Sequence, residues 1–252
     1  KQWIENLVGE ARETGGKTIA MTEEFSLNGF IPFYVTFFRE AGLRVKLYSG
    51  GTQKELKAGI EQSNVPTCAP MAMYQGMMNK MIRDEPDYLF MPRLRELPRQ
   101  KDEPLATTCP IVQASGDLIE KTFRARAPRT KRLTGRIDMA CGNWESRRFR
   151  DSVRRLAEQL EVVKIWEVAY QKACDVQARF EVECREIGRR ALEFARYHQL
   201  PAIVVLGRSY TIHNSVLNSN VPSLLRAQGA LGIPVDCYPI DDHTPIFKDL
   251  YW

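Results

Sequence analysis

The spacing of apolar and polar positions changes several times along the chain, and each change predicts an element. "KTIAMTEEF" (17–25) opens with a short apolar run that reads as a strand. "FIPFYVTFFREAG" (30–42) is apolar on a helical face and closes on glycine, which predicts a helix with a stop. "LRVKLY" (43–48) alternates and reads as a strand. In "TQKELKAGIEQS" (52–63), Thr52 stands three positions before Glu55, the spacing of a capping box. The Met-rich "MAMYQGMMNKMIRD" (71–84) predicts a helix. "DYLFMP" (87–92) predicts a short buried strand ended by proline, and "CPIVQASGDLIEKTF" (109–123) a turn into another helix. Strand and helix alternate throughout, so the expected class is α/β, with a parallel sheet and right-handed crossovers.

From 144 to 198 the pattern becomes helical, with no proline and only Gly188 as glycine, and predicts two long helices with a break near 161–166. "PAIVVLG" (201–207) and "IPVDCYPI" (233–240) then read as strands, with the helix "VPSLLRAQGA" (221–230) between them. Two strands and one helix make a thin sheet for independent stability. The chain therefore reads as a piece of a longer protein. The expected organisation is an α/β lobe over 1–140, a helical segment over 141–200 and a partial second α/β lobe over 201–252.

Composition narrows the chemistry more by exclusion than by selection. No apolar run reaches the roughly 18 residues of a membrane span, and the first residues lack the apolar core of a signal peptide, so the expected location is cytoplasmic. "GEARETGGKT" does not keep the P-loop frame and has no strand before it, and G-x-G-x-x-G, G-x-S-x-G and HExxH do not occur. The net charge of +5 is concentrated in 124–155. That run reads either as a phosphate-attracting surface or as solvated helix faces with acidic neighbours. It lacks the interleaved aromatics that stack on bases, so nucleic acid is not an expected partner.

Six cysteines occur and none forms a CxxC pair, which removes zinc ribbons and thioredoxin-type motifs. Cys174 and Cys184 are ten residues apart on one predicted helix and point in different directions, so both read as structural. Cys68 and Cys109 differ from the rest. "NVPTCAPMAMYQGMM" and "ATTCPIVQASGDLI" each set a cysteine, with proline close after it, at the start of a helix. Helix N-termini favour anions and lower thiol pKa, and proline is tolerated in the first turn. The two cysteines are expected to converge at the carboxyl edge of the sheet.

The ordered segments "IPFYVTFFREAGLRVKL", "TCAPMAMYQG", "DYLFMPRL", "TTCPIVQA" and "VVLGRSYTIHNSVLNSNVP" resemble the iron–sulfur proteins around 2-hydroxyacyl-CoA dehydratase components, specifically the domain attached to CoA enzyme activases. The resemblance covers roughly 17–125 and 201–240. It implies Rossmann-like lobes holding an iron–sulfur cluster between them, with Cys68 and Cys109 at two ligand positions. A third ligand is not assigned: Cys237 is the nearest candidate but falls in an expected strand. The resemblance also implies a separate ATP-hydrolysing activase domain or subunit as partner, an acyl-CoA as candidate substrate and a homodimer as candidate assembly. Arg208, Tyr210 and Asn218, with His213 nearby, become candidates to line the cleft. Their alternative is loop and cap chemistry, since "NSNVP" is a good helix start. The competing class is a docking or regulatory α/β domain without a cluster.

Overall fold

The computed structural model describes residues 16–63, 65–99, 106–124, 126, 128–139 and 143–240. Cys141 and the chain's first fifteen and last twelve residues lie outside the described residues. Strand β1 (Thr18–Thr22) runs at the centre of a sheet, with Ile19, Ala20 and Met21 fully buried, as expected for a parallel strand covered on both faces. It pairs in parallel with β2 (Arg44–Tyr48) on one side and β3 (Tyr88–Phe90) on the other.

The strand after β3 was not legible in the sequence. β4 (Arg93–Glu96) follows immediately, and β5 (Lys131–Leu133) and β6 (Arg136–Asp138) run beside β3 and β4 respectively. The two pairs are one ladder with an interruption. Met91 N donates to Leu133 O at 2.9 Å and Arg93 N to Gly135 O at 2.8 Å, while Pro92 between them has no N–H to give. The first sheet thus has the order β2-β1-β3-β5, all parallel, and β4 and β6 carry it onward past the proline.

Helix α1 (Ile31–Glu40) is buried along Ile31–Phe38, so a second layer must cover its outer face. That cover comes from the helical segment. α2 (Gln53–Gln62), α3 (Ala69–Arg83) and α4 (Pro110–Phe123) serve the crossovers, and α5 (Arg147–Gln159) precedes the 32-residue α6 (Trp166–Tyr197). The chain breaks between α5 and α6, where Glu161 takes φ of 62°. Tyr170 and Gln177 of α6 seat on α1. Gln177 donates to Gly29 O at 2.8 Å and accepts from Phe33 N at 3.2 Å. Phe33 packs against Trp144, Phe149 and Tyr170 with ring centroids 5.2–5.6 Å away. Past α6, β7 (Ala202–Val205) and β8 (Leu231–Pro234) form a separate two-stranded parallel sheet, with α7 (Ser209–Ile212) and α8 (Val221–Ala227) between them. The last strand ends earlier than its apolar pattern predicts. Val235–Cys237 wind into a 3-10 turn, which puts Cys237 outside the strand.

The capping box is formed as expected: Thr52 accepts from Lys54 N at 3.2 Å, and Glu55 accepts from Thr52 N at 3.0 Å. It starts a helix that approaches α3 backbone to backbone. A Cβ on Gly59 would overlap the Ala72 carbonyl, and one on Gly76 would overlap that of Glu55. Alanine at an ordinary helix position is better than glycine by about 1 kcal/mol. Here the sign reverses, because neither backbone can give. Gly59→Ala or Gly76→Ala should lower the unfolding free energy by about 1–3 kcal/mol or more, read from urea denaturation.

Candidate functional site

α3 leads into the amino end of β3, and α4 leads through a loop into that of β5, so the N-termini of both helices lie toward the carboxyl edge of the sheet. Ligands gather at that edge in open parallel sheets. Cys68 and Cys109 are the cap residues there, and their backbones are nearly superimposable in angle: φ −66°, ψ 153° at Cys68 and φ −65°, ψ 154° at Cys109. Each is followed by proline in the first turn, neither side chain makes a capping hydrogen bond, and both are exposed. Both sulfurs are therefore left for other chemistry.

Tyr210 on α7 is half-buried and lines one cleft with Cys109. Burial raises its phenol, Arg208 opposes that shift, and charge on Cys109 and Cys68 adds to it. One phenol thus feels both cysteines. The Tyr210 ring lies 5.1 Å from Phe25, which stacks at 5.5 Å on Tyr74 of α3. A cleft of about 230 Å³ opens beside it, lined by Cys109, Thr108, Val112, Arg208, Tyr210 and Asp236 among others. Arg208 and Tyr210 therefore face the cleft with Cys109. Asn218 does not line it. Its side chain accepts from Asn220 N at 2.9 Å and donates to Ile212 O at 3.4 Å, as a turn residue does.

The residue that seats this loop is Asn214. Its amide donates to Glu24 at 2.9 Å and to Gly51 O at 3.2 Å, and its carbonyl accepts from Val216 N at 2.8 Å and Leu217 N at 2.9 Å. The other oxygen of Glu24 accepts from Gly51 N at 2.7 Å. Both residues are buried. Nothing in "TIHNSVLNSN" separates Asn214 from Asn218. The one available sign was the position of Glu24 just past a central strand.

A second cavity, of about 320 Å³, is lined by Glu23, Cys184, His213, Asn214, Asp236 and Cys237 among others. Burial first, then the charge of Glu24, raises the Glu23 carboxyl. His213 pairs with Asp236 at 2.7 Å, and that hydrogen bond is the main reason its imidazole titrates above the usual value, with charge on Asp236, Cys237 and Glu23 adding to it. Cys237 thus lines this second cavity, against Cys184. Part of the basic segment is paired locally. Arg136 and Arg148, joined by Arg95 of β4, gather on the buried Asp138 at 3.4–3.9 Å, and Arg150 pairs with Glu167 at 3.2 Å. Among the described residues, no group of three or more His, Cys, Asp or Glu is arranged to hold a metal ion. No helix among them is long and apolar enough to cross a membrane.

Two outcomes follow from the seating of the loop. Asn214→Ala leaves Glu24 short of a buried donor and should cost about 1–3 kcal/mol in urea unfolding. The His213 imidazole is raised in the folded state. Its contribution is therefore complete below its unfolded value, about pH 6.5, and is lost as pH rises through the folded value. The urea midpoint should fall over that window, and His213→Asn should flatten the fall.

Neither the comparison with curated proteins nor that with solved structures returned a match. A scan against protein families matches the CoA enzyme activase uncharacterised domain over residues 18–238, from β1 through the turn that carries Cys237. The match spans the first sheet, the β7–β8 sheet and the helices between them, and the chain belongs to that family.

Proposed function

We propose that this chain is the iron–sulfur module of a CoA enzyme activase system, with Cys68 and Cys109 as two of the cluster's thiolate ligands. The observation that carries the reading is the pair itself: two exposed thiols in matching cap conformations at the starts of helices that end toward one sheet. Helix N-termini stabilise thiolates, the form that binds iron. A bound cluster supplies low-potential electron transfer. The chain's own part is to hold two thiolates, to shield one side with the Tyr210–Phe25–Tyr74 stack and to offer Arg208 to an anionic acyl-CoA at the cleft.

The donor set fits a cluster in part: two thiolates are too few for a four-iron cubane, and among the described residues no group of three ligands is assembled, so the reading requires at least one further ligand. An ATP-hydrolysing activase domain or subunit is the matching electron source. The competing reading is a cluster-free docking or regulatory domain for such an activase.

Purification without oxygen, followed by iron and acid-labile sulfide assays, separates the two. The cluster reading expects both elements in the wild type and loss of most of the iron in Cys68→Ser and in Cys109→Ser. A wild type without iron, or variants that keep all of it, overturns that reading.

A further inference from the structure

α6 runs out of the first lobe and reaches the second, where it meets the turn after β8. Gly188 sits at the contact, and a Cβ there would overlap the Cys237 carbonyl. Glycine is what lets the two backbones come this close. Cys184 lies four residues earlier, on the same face of the helix. Its side chain thereby lies toward the Cys237 turn, and the interaction between the two thiols is the main influence on the titration of each. Both line the larger cavity, with His213 and Asp236 beside them, and both are half-buried and free. These are a second pair of cysteines, apart from the two exposed thiols at the helix N-termini.

We propose that Cys184 and Cys237 are a redox-active dithiol, which a small-molecule disulfide oxidises to an intramolecular bond that fastens α6 to the second sheet. The two thiols have different roles. The interaction with Cys184 favours the Cys237 thiolate, and His213 adds to this, against burial and Asp236. The same interaction, followed by burial, holds Cys184 protonated. Cys237 is therefore the attacking sulfur. Its thiolate displaces one thiolate from the small disulfide and forms a mixed disulfide. Cys237 then carries no charge, so the main restraint on Cys184 is gone. Cys184 attacks the Cys237 sulfur and expels the second small thiolate, which takes up the Cys184 proton. Two protein thiols are oxidised and one disulfide is reduced to two thiols. The bond would lock the wall of the larger cavity and, through Asp236–His213, one end of the loop that carries Tyr210.

The test is to treat the full chain with oxidised glutathione, alkylate the remaining thiols and map peptides under non-reducing conditions. The expected product joins the Cys184 and Cys237 peptides, carries no glutathione on either and is reversed by dithiothreitol. Cys184→Ser should trap glutathione on Cys237, whereas Cys237→Ser should leave Cys184 unmodified. The oxidised wild type should also melt at a higher temperature than the reduced protein, a shift absent in Cys184→Ser. The wild-type map needs no variant to fold. Both cysteines alkylated, glutathione retained on Cys237 in the wild type, or cross-links only to other cysteines would each overturn the proposal. None of these outcomes depends on whether Cys68 and Cys109 hold iron.

Discussion

The Glu24 carboxylate joins the parts of this molecule that bear on its chemistry. It is buried at the end of the central strand, with one oxygen on the Gly51 amide and the other on the Asn214 side chain. A buried carboxylate is costly unless its oxygens are satisfied, and donors to a charged acceptor are worth more than neutral ones. The loop between β7 and β8 supplies one of the two donors that satisfy it. The same loop carries Tyr210 to Phe25 and contributes residues to both cavities.

Close backbone approach is the second constraint. Gly59 and Gly76 let α2 and α3 touch main chain to main chain, and that contact supports the helix whose N-terminus is Cys68. Gly188 does the same where α6 meets the Cys237 turn. In both places the glycine positions a cysteine that lies elsewhere in the chain. The aromatic cluster of Phe33, Trp144, Phe149 and Tyr170 then holds α6 against α1, so the long helix reaches the second lobe from a fixed base.

The four cysteines of interest sort by environment. Cys68 and Cys109 are exposed and sit at the positive ends of helices, without hydrogen bonds from their side chains to the helix. Cys184 and Cys237 are half-buried and line one cavity. The first arrangement suits binding of an external group and the second suits exchange within the protein. Cys174 belongs to neither. It contacts Tyr170 on its own helix, and burial raises it to about 11.

What was legible in the sequence is what a few neighbouring residues decide. The Thr52–Glu55 box, the Cys-then-proline helix starts, the break between the two long helices and the parallel α/β alternation all depend on contacts within a turn or on one repeating pattern. The β4–β6 pair was not legible, because Pro92 looks like the end of a strand and only the pairing with β6 beyond it shows that the ladder resumes. Asn214 could not be told from Asn218, since both sit in the same polar run and only the distant Glu24 chooses between them. Cys184 looked structural for the same reason: its partner is on another element, beyond β8, and the glycine that brings them together has no meaning until the helices are packed. Local hydrogen bonding is written in adjacent residues. Which side chains meet across lobes is settled only by burying the core.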